Sequence, residues 1–235
     1  MASVTRPSDP FSDLARFYDG LMETVDYDRW LLVAMNLAEL APQKPFTHLD
    51  VACGTGLLAK HLRQHGWPSM GIDLSAAMLR AGQSGPYAPT VPQADMCALP
   101  FRDAFGYITC LFDSVNFLIE DGALEACFRS VYDALQVDGV FYFDMITERM
   151  VLDHFAGKEW TEKNGRFRSS WESVYDRSTS IADTTIRINR QPHALIRERV
   201  YDFEFVTQAL DRAGFRLLGA FDAETWKAPS RKSIR

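Results

Sequence analysis

The residues best suited to chemistry cluster in Asp50-Val51-Ala52-Cys53-Gly54-Thr55-Gly56, where two glycines follow an acidic strand end. Glycines at 54 and 56 permit a tight turn and let a ligand approach the backbone. The helix beginning after Gly56 presents free N–H groups and a positive dipole end to an anion. A ligand-free strand-to-helix turn would use the same glycines, but their coincidence with an acidic strand end favours a binding loop. Taken alone, Gly54-x-Gly56-x-x-Ala59 also satisfies the dinucleotide fingerprint. Asp73 closes the next apolar run in Gly71-Ile72-Asp73-Leu74-Ser75. A carboxylate there can accept both hydroxyls of an adenosine ribose, or cap the following helix. Asp95, in Ala94-Asp95-Met96, ends a third run; it can accept from an adenine amino group while the Met96 N–H donates to a ring nitrogen, or simply shape a turn.

These positions have meaning only if strands and helices alternate around them. Phe11–Met22 and Asp26–Leu40 read as amphipathic helices, the second with Trp30, Val33, Ala34 and Leu37 at helical spacing and a stop at Ala41-Pro42. From Phe46 short apolar runs take over. His48–Ala52, Ser69–Leu74, Val91–Asp95, Tyr107–Phe112 and Gly139–Met145 are predicted strands. Gly56–His65, a Ser75-capped helix to Gly82, and Ala123–Leu135 are the helices between them. This alternation implies an α/β, doubly wound parallel sheet, whose ligand crevice lies at the carboxyl ends of the strands. After Thr147 the rhythm changes. A short helix (Glu148–Phe155) precedes Arg168–Tyr175, Ser180–Ile188 and Leu195–Phe203, three β-rich runs separated by turns at 176–179 and 189–193. They predict an antiparallel β insertion after strand five. A helix over Glu204–Ala213 with Gly214 as C-cap and a last strand over Phe215–Phe221 return the chain to the core.

The 235 residues suit a single domain: N-terminal helices at 11–40, a cofactor-binding core at 46–146, a β-rich segment at 159–203 and a return at 204–235. With 47% hydrophobic and 24% charged residues, disordered, collagen-like and disulfide-scaffold classes are excluded. The four cysteines, Cys53, Cys97, Cys110 and Cys127, lie far apart and predict buried thiols in a reducing cytoplasm, with no metal site. No apolar run is long enough for a bilayer, and Met1–Pro10 lacks a secretion signal, so a cytoplasmic protein without membrane contact is expected. Net charge is −6, with the only basic cluster at Arg231-Lys232, which argues against nucleic acid as a partner.

The motifs in order, from the glycine loop through Gly71-Ile72-Asp73-Leu74-Ser75, Gln93-Ala94-Asp95-Met96 with Leu99-Pro100-Phe101, to Gly139-Val140-Phe141, resemble class I S-adenosylmethionine-dependent methyltransferases. Phe17-Tyr18-Asp19 and Phe112-Asp113-Ser114-Val115-Asn116-Phe117-Leu118 are similar to a small-molecule branch that includes amino-sugar N-methyltransferases and, more distantly, sarcosine/glycine-type enzymes. The resemblance implies S-adenosyl-L-methionine as cofactor. Asp50 and the backbone of Ala52, Cys53, Gly54 and Gly56 would surround its methionine portion. Asp73, with Leu74 beside it, would hold the ribose, Asp95 and Met96 the adenine, and Leu111 the wall beside the sulfonium. Tyr18 would reach over the amino-acid moiety, with Trp30 or Arg29 as further candidates. The family pattern closes on a strand antiparallel to the sixth; here the sequence stops at Ser233-Ile234-Arg235, so either that strand is very short or the sequence is truncated before it.

Methyl transfer from a sulfonium needs alignment more than acid–base help, although a hydroxyl or carbon acceptor needs a base. Asp113 and Asn116 are expected to face the acceptor because they follow strand four at the crevice mouth. His154, and behind it His193 and Tyr142, are candidate bases, with surface or hydrogen-bonded roles as the alternative. Trp160, Phe167, Trp171 and Tyr175 are candidate acceptor-pocket walls or ordinary core. The expected partner is a small-molecule acceptor, and the β insertion could also make a homodimer interface. Two other classes share part of the pattern. A non-catalytic cofactor-binding subunit would bind without turnover. An NAD-dependent oxidoreductase would leave Asp95-Met96 unexplained and would bring a Tyr-x-x-x-Lys or similar pair that is not present.

Overall fold

The computed structural model describes residues 9–41, 47–83 and 88–235; expectations placed on Met1–Ser8 and on the Pro42 stop lie outside these residues. Helix α1 (Ala15–Leu21) is shorter than its apolar run, because the residues before it form turns around Asp9, whose carboxylate accepts the Phe11 N–H. Helix α2 (Tyr27–Ala38) starts where Asp26 accepts the Arg29 N–H.

Four parallel strands form the core: β1 (His48–Val51), β2 (Ser69–Ile72), β3 (Phe105–Cys110) and β4 (Leu135–Phe143), in the order β2-β1-β3-β4. Helices α3 (Leu57–Gln64), α4 (Ala76–Gly82) and α5 (Ala123–Ala134) connect them. On one face Leu49, Val51, Ile72 and Ile108 pack with Phe128 and Val131 of α5. On the other, Leu111 packs with Leu31 of α2 and Leu58 and Leu62 of α3. Each such side chain contributes about 1.5–3 kcal/mol by leaving water.

Two predicted strands are corrected. Val91–Asp95 is reduced to one parallel bridge, Asp73 to Gln93, because Pro92 has no N–H for a ladder. Phe215–Phe221 forms no strand: Gly219 and the adjacent Leu217-Leu218 break the two-residue alternation, and Leu217, Leu218 and Phe221 stay exposed.

After β4, α6 (Glu148–Met150) runs into a π-helical turn over Val151–Phe155. A separate antiparallel sheet follows: β5 (Lys158–Asn164), β6 (Phe167–Asp176), β7 (Ile181–Ile188) and β8 (Gln191–Arg199), in sequence order. It holds one strand more than the apolar runs foretell. Strand β5 carries lysine and glutamate, as edge strands do to discourage further pairing. Strand β8 starts at Gln191 because Asn189 and Arg190 both adopt positive φ, a tight hairpin turn in place of the five-residue loop expected. The inner face, Ile186, Ile188 and Ile196, packs on Leu14 and Leu21, so α1 lies against the antiparallel sheet. Helix α7 (Phe203–Ala213) ends at Gly214, φ 103°, as the C-cap reading requires. Among the described residues no helix is long and apolar enough to cross a membrane.

Candidate active site

The glycine loop leaves β1 through a left-handed path, with positive φ at Ala52, Gly54 and Gly56. Three contacts hold it. The Cys53 N–H donates to the Ile72 carbonyl (2.9 Å), the Gly54 N–H to Asp73 Oδ2 (2.8 Å), and the Thr55 hydroxyl to Asp19 Oδ1 (2.8 Å). The other Asp73 oxygen accepts the Ser75 N–H (2.7 Å), and the Ser75 hydroxyl caps α4 by accepting the Met78 N–H (3.3 Å). Burial raises the Asp73 pKa, and the N–H bonds from Ser75 and Gly54 oppose that rise. Asp73 therefore does both things its position allows: it shapes the start of α4, and it stands on the cleft wall beside the loop.

Behind the loop lies a buried polar chain that runs across three strands. His48 Nδ1 is 2.7 Å from the Ser69 hydroxyl and Nε2 is 3.0 Å from Thr109 Oγ1; the Thr109 hydroxyl donates to Asp50 Oδ1 at 2.7 Å. Since Thr109 donates to Asp50, it accepts from Nε2–H, and Nδ1 accepts from Ser69. Burial lowers the His48 pKa to about 3 and raises that of Asp50 to about 7, the Thr109 bond opposing the latter. Asp50 is 4% exposed and points into the sheet, so it braces the loop from behind.

The two groups drive stability in opposite directions. His48 is neutral when folded, so its contribution is fully present above its ordinary pKa and is lost as pH falls towards 3. Asp50 favours the folded state most below the ordinary carboxylate range, and that contribution is lost as pH rises to about 7. Asp50→Asn keeps an acceptor for Thr109 and removes the titration. Relative to wild type it should gain on the order of 4 kcal/mol between pH 4 and 8, measured by urea unfolding at each pH. A difference that stays constant with pH would show that folding does not raise the Asp50 pKa.

The sequence-predicted cofactor residues divide by position. Tyr18, Trp30, Ala52, Gly54, Asp73, Leu74, Asp95 and Met96 line an extensive groove that runs well beyond the strand ends. Asp50, Cys53, Gly56 and Leu111 do not line it and act from behind. Tyr18 projects from α1 over the loop: a Cβ built on Gly54 would come within 3.8 Å of its ring and 3.2 Å of Met78 Cε, so the space above Gly54 is a cradle that a side chain would fill. Burial pushes the Tyr18 hydroxyl well above its usual range, which keeps it a neutral donor. Asp95 accepts the Cys97 N–H with Oδ1 (2.8 Å) and is exposed. Glycine backbone, the Asp73 and Asp95 carboxylates and an adjacent Met96 N–H form a donor–acceptor set that suits an adenosyl cofactor.

Of the residues expected to face the acceptor, Asp113 lines the cleft but Asn116 does not. Asn116 is fully buried; its oxygen accepts the Ile146 N–H (3.0 Å) and its amide donates to the Arg199 carbonyl (2.8 Å), which makes it a pin between β8 and the exit of β4. His154 is exposed on the π-helical turn, and His193 packs edge-on against Phe17; neither lines the cleft. Tyr142 lines it, with burial raising its pKa. Trp160 and Trp171 stack at 5.8 Å and line the cleft, whereas Phe167 packs on Phe17 and Tyr175 bonds Glu148. Arg29 lines the cleft and donates to the Ala223 carbonyl. Among the described residues no cluster of His, Cys, Asp or Glu is placed to hold a metal ion. Sequence reasoning missed Arg235 and Asp144, which bond Asp113, and the buried Glu198, whose pKa the Asp113 charge raises. Glu198 carried a signal: it shares the inward alternation of Ala194 and Ile196 on β8, a charge where the pattern calls for an apolar residue.

A parallel sheet with a glycine-rich first turn, an aspartate at the end of β2 and a second aspartate just past the bridge to Gln93 defines a Rossmann-like fold with a nucleoside-type cofactor cleft. Residues 49–139 match the family model for a methyltransferase domain. A protein of Geobacillus sp. (strain WCH70) that bears the methyltransferase name is 30% identical over 96% of this chain and 96% of its own. The chain belongs to the methyltransferase family. Its fold is that of a solved S-adenosylmethionine-dependent methyltransferase from Clostridium acetobutylicum ATCC 824, with TM-score 0.78, 23% identity and 95% of each chain covered. A dTDP-3-amino-3,6-dideoxy-alpha-D-glucopyranose N,N-dimethyltransferase from Streptomyces fradiae is 28% identical over 59% of this chain and 55% of its own.

Proposed function

We propose that the cleft binds S-adenosyl-L-methionine and that the enzyme transfers its methyl group to a small-molecule acceptor seated between the β3 and β4 ends and the antiparallel sheet. The observation that carries this reading is Asp73, whose two oxygens are aimed by the Gly54 and Ser75 N–H groups and keep lone pairs for the two ribose hydroxyls. Asp95 and the Met96 N–H take the adenine edge, Gly54 and Ala52 let the methionine portion approach, and Tyr18 closes over it. Leu74 and Trp30 complete the walls, while Asp50, Cys53, Gly56 and Leu111 hold the loop from behind. When bound, the cofactor supplies a methyl group already activated on a sulfonium. The chain's task is then to fix the acceptor in line and exclude water, effects worth about 7–11 kcal/mol. The small acceptor is supported by the Streptomyces fradiae relative's amino-sugar name and by a net charge of −6, unsuited to a polyanion.

Calorimetry tests the cofactor assignment. S-adenosylhomocysteine should bind with micromolar or tighter affinity and NAD should give no heat. Binding of NAD with silence towards S-adenosylhomocysteine would overturn the reading.

A further inference from the structure

At the cleft mouth two carboxyl groups meet one guanidinium, and a third, buried carboxyl group acts on them through its charge. Asp113 follows β3, Asp144 follows β4, and Glu198 reaches in from β8 of the antiparallel sheet. Arg235 touches Asp113 Oδ1 at 2.5 Å and Asp144 Oδ2 at 3.3 Å, and its guanidinium lies 5.7 Å from the centre of the Trp30 ring. Burial raises the Glu198 pKa, the charge of Asp113 adds to that rise and Arg235 opposes it, so Glu198 belongs to the same electrostatic cluster. Asp144 and Glu198 are 8% and 6% exposed, and Asp144 Oδ1 and Glu198 Oε1 have no hydrogen-bond partner.

We propose that Asp113, Asp144 and Glu198 form the cation subsite for the methyl acceptor, an aliphatic ammonium, and that the Arg235 guanidinium is a tethered occupant which the acceptor displaces. The inference rests on the methyl-transfer reading above and names the acceptor class for that site. Arg235 fits the cluster poorly. A guanidinium matches a carboxylate best with two parallel N–H bonds, yet here it meets one oxygen of Asp113 and one of Asp144 and leaves two buried oxygens bare. An ammonium places three N–H donors on one compact centre and can turn them to the unpartnered oxygens. Trp30, with Phe112 packed 5.1 Å from it, supplies the aromatic wall that favours a cation in the same space. Arg235 is also held in a way that permits exchange. Its backbone carbonyl accepts the Ala223 N–H (2.9 Å) and the Ile234 carbonyl accepts the Thr147 N–H (3.2 Å), so the side chain can swing out while the segment stays anchored. Once the ammonium is seated, Glu198 can take one of its protons: an N–H bond breaks, an O–H bond forms, and the nitrogen keeps the lone pair it needs to attack a methyl group. Burial raises the Glu198 pKa, in the direction this transfer requires.

The test uses the full chain saturated with S-adenosylhomocysteine and two probes of equal length, n-butylamine hydrochloride and n-butanol, followed by calorimetry and thermal unfolding. The amine should bind and raise the unfolding temperature, and the alcohol should do neither. Arg235→Ala should tighten amine binding at least fivefold, since an internal competitor is gone. Glu198→Gln, with Asp144→Asn as a second variant, should weaken it at least tenfold while S-adenosylhomocysteine affinity stays within twofold, which also verifies the fold. Equal response to amine and alcohol, no amine binding up to 100 mM, or amine affinity unchanged or weaker in Arg235→Ala would overturn the proposal. Failure to bind S-adenosylhomocysteine in the first place would instead overturn the cofactor reading.

Discussion

Gly82→Ala should severely destabilise the folded, cofactor-competent state. A Cβ at this position would lie 1.7 Å from the Thr55 carbonyl oxygen, 2.4 Å from its carbon and 2.7 Å from its Cα. All three atoms are backbone, so no side-chain rotation relieves the overlap. On an exposed helix the same substitution would stabilise by roughly 0.5–1 kcal/mol. Here it must push α4 off the glycine loop, at a cost expected to exceed about 4 kcal/mol, a large part of the 5–15 kcal/mol typical of a domain. Circular dichroism melting together with S-adenosylhomocysteine titration checks this. A melting temperature within a few degrees of wild type, with affinity retained, would mean that α4 and the loop are not packed as described.

Asp73→Ala should weaken S-adenosylhomocysteine binding by about 2–4 kcal/mol, roughly 30- to 1000-fold, because charge-assisted hydrogen bonds to the ribose are lost and only partly replaced by water. The geometry adds a second consequence. Asp73 also holds the Gly54 and Ser75 N–H groups, so stability should fall by about 1–3 kcal/mol. The fold should survive, since the Ser75 hydroxyl still caps α4 and Cys53 still bonds Ile72. Equilibrium unfolding separates the stability loss from the affinity loss measured by calorimetry. Affinity within threefold of wild type would remove Asp73 from the cofactor site.

Much of the backbone around the glycine loop was legible in the sequence because its signals are local. Glycines at 54 and 56, an aspartate at the end of β2 and a serine cap two residues later each constrain their own few residues of backbone, and the chain adopts those conformations wherever it folds. The same holds for the apolar runs of β1, β2 and β3 and for Gly214 at the end of α7. Other expectations failed where a local pattern needed a distant partner. Phe215–Phe221 has apolar residues but no pairing, and Val91–Asp95 is interrupted by Pro92; β5, too charged to read as a strand, is a strand because β6 supplies the ladder.

The acceptor side depended most on tertiary structure. Asn116 follows β3 as closely as Asp113 does, yet it turns inward because Ile146 and Arg199, 30 and 83 residues away, offer the backbone groups it binds. Asp50 sits at the head of the glycine motif, but Thr109 on the neighbouring strand turns it into the sheet. Asp144, Glu198 and Arg235 carry no shared motif and come together only because the antiparallel sheet folds back over the β3 and β4 ends. The residue types and spacing of one segment determine its backbone path, and so the sequence alone located the glycine loop. Which way a side chain points at a strand end depends on burial and on hydrogen-bond partners brought by remote segments, and those only the tertiary structure decided.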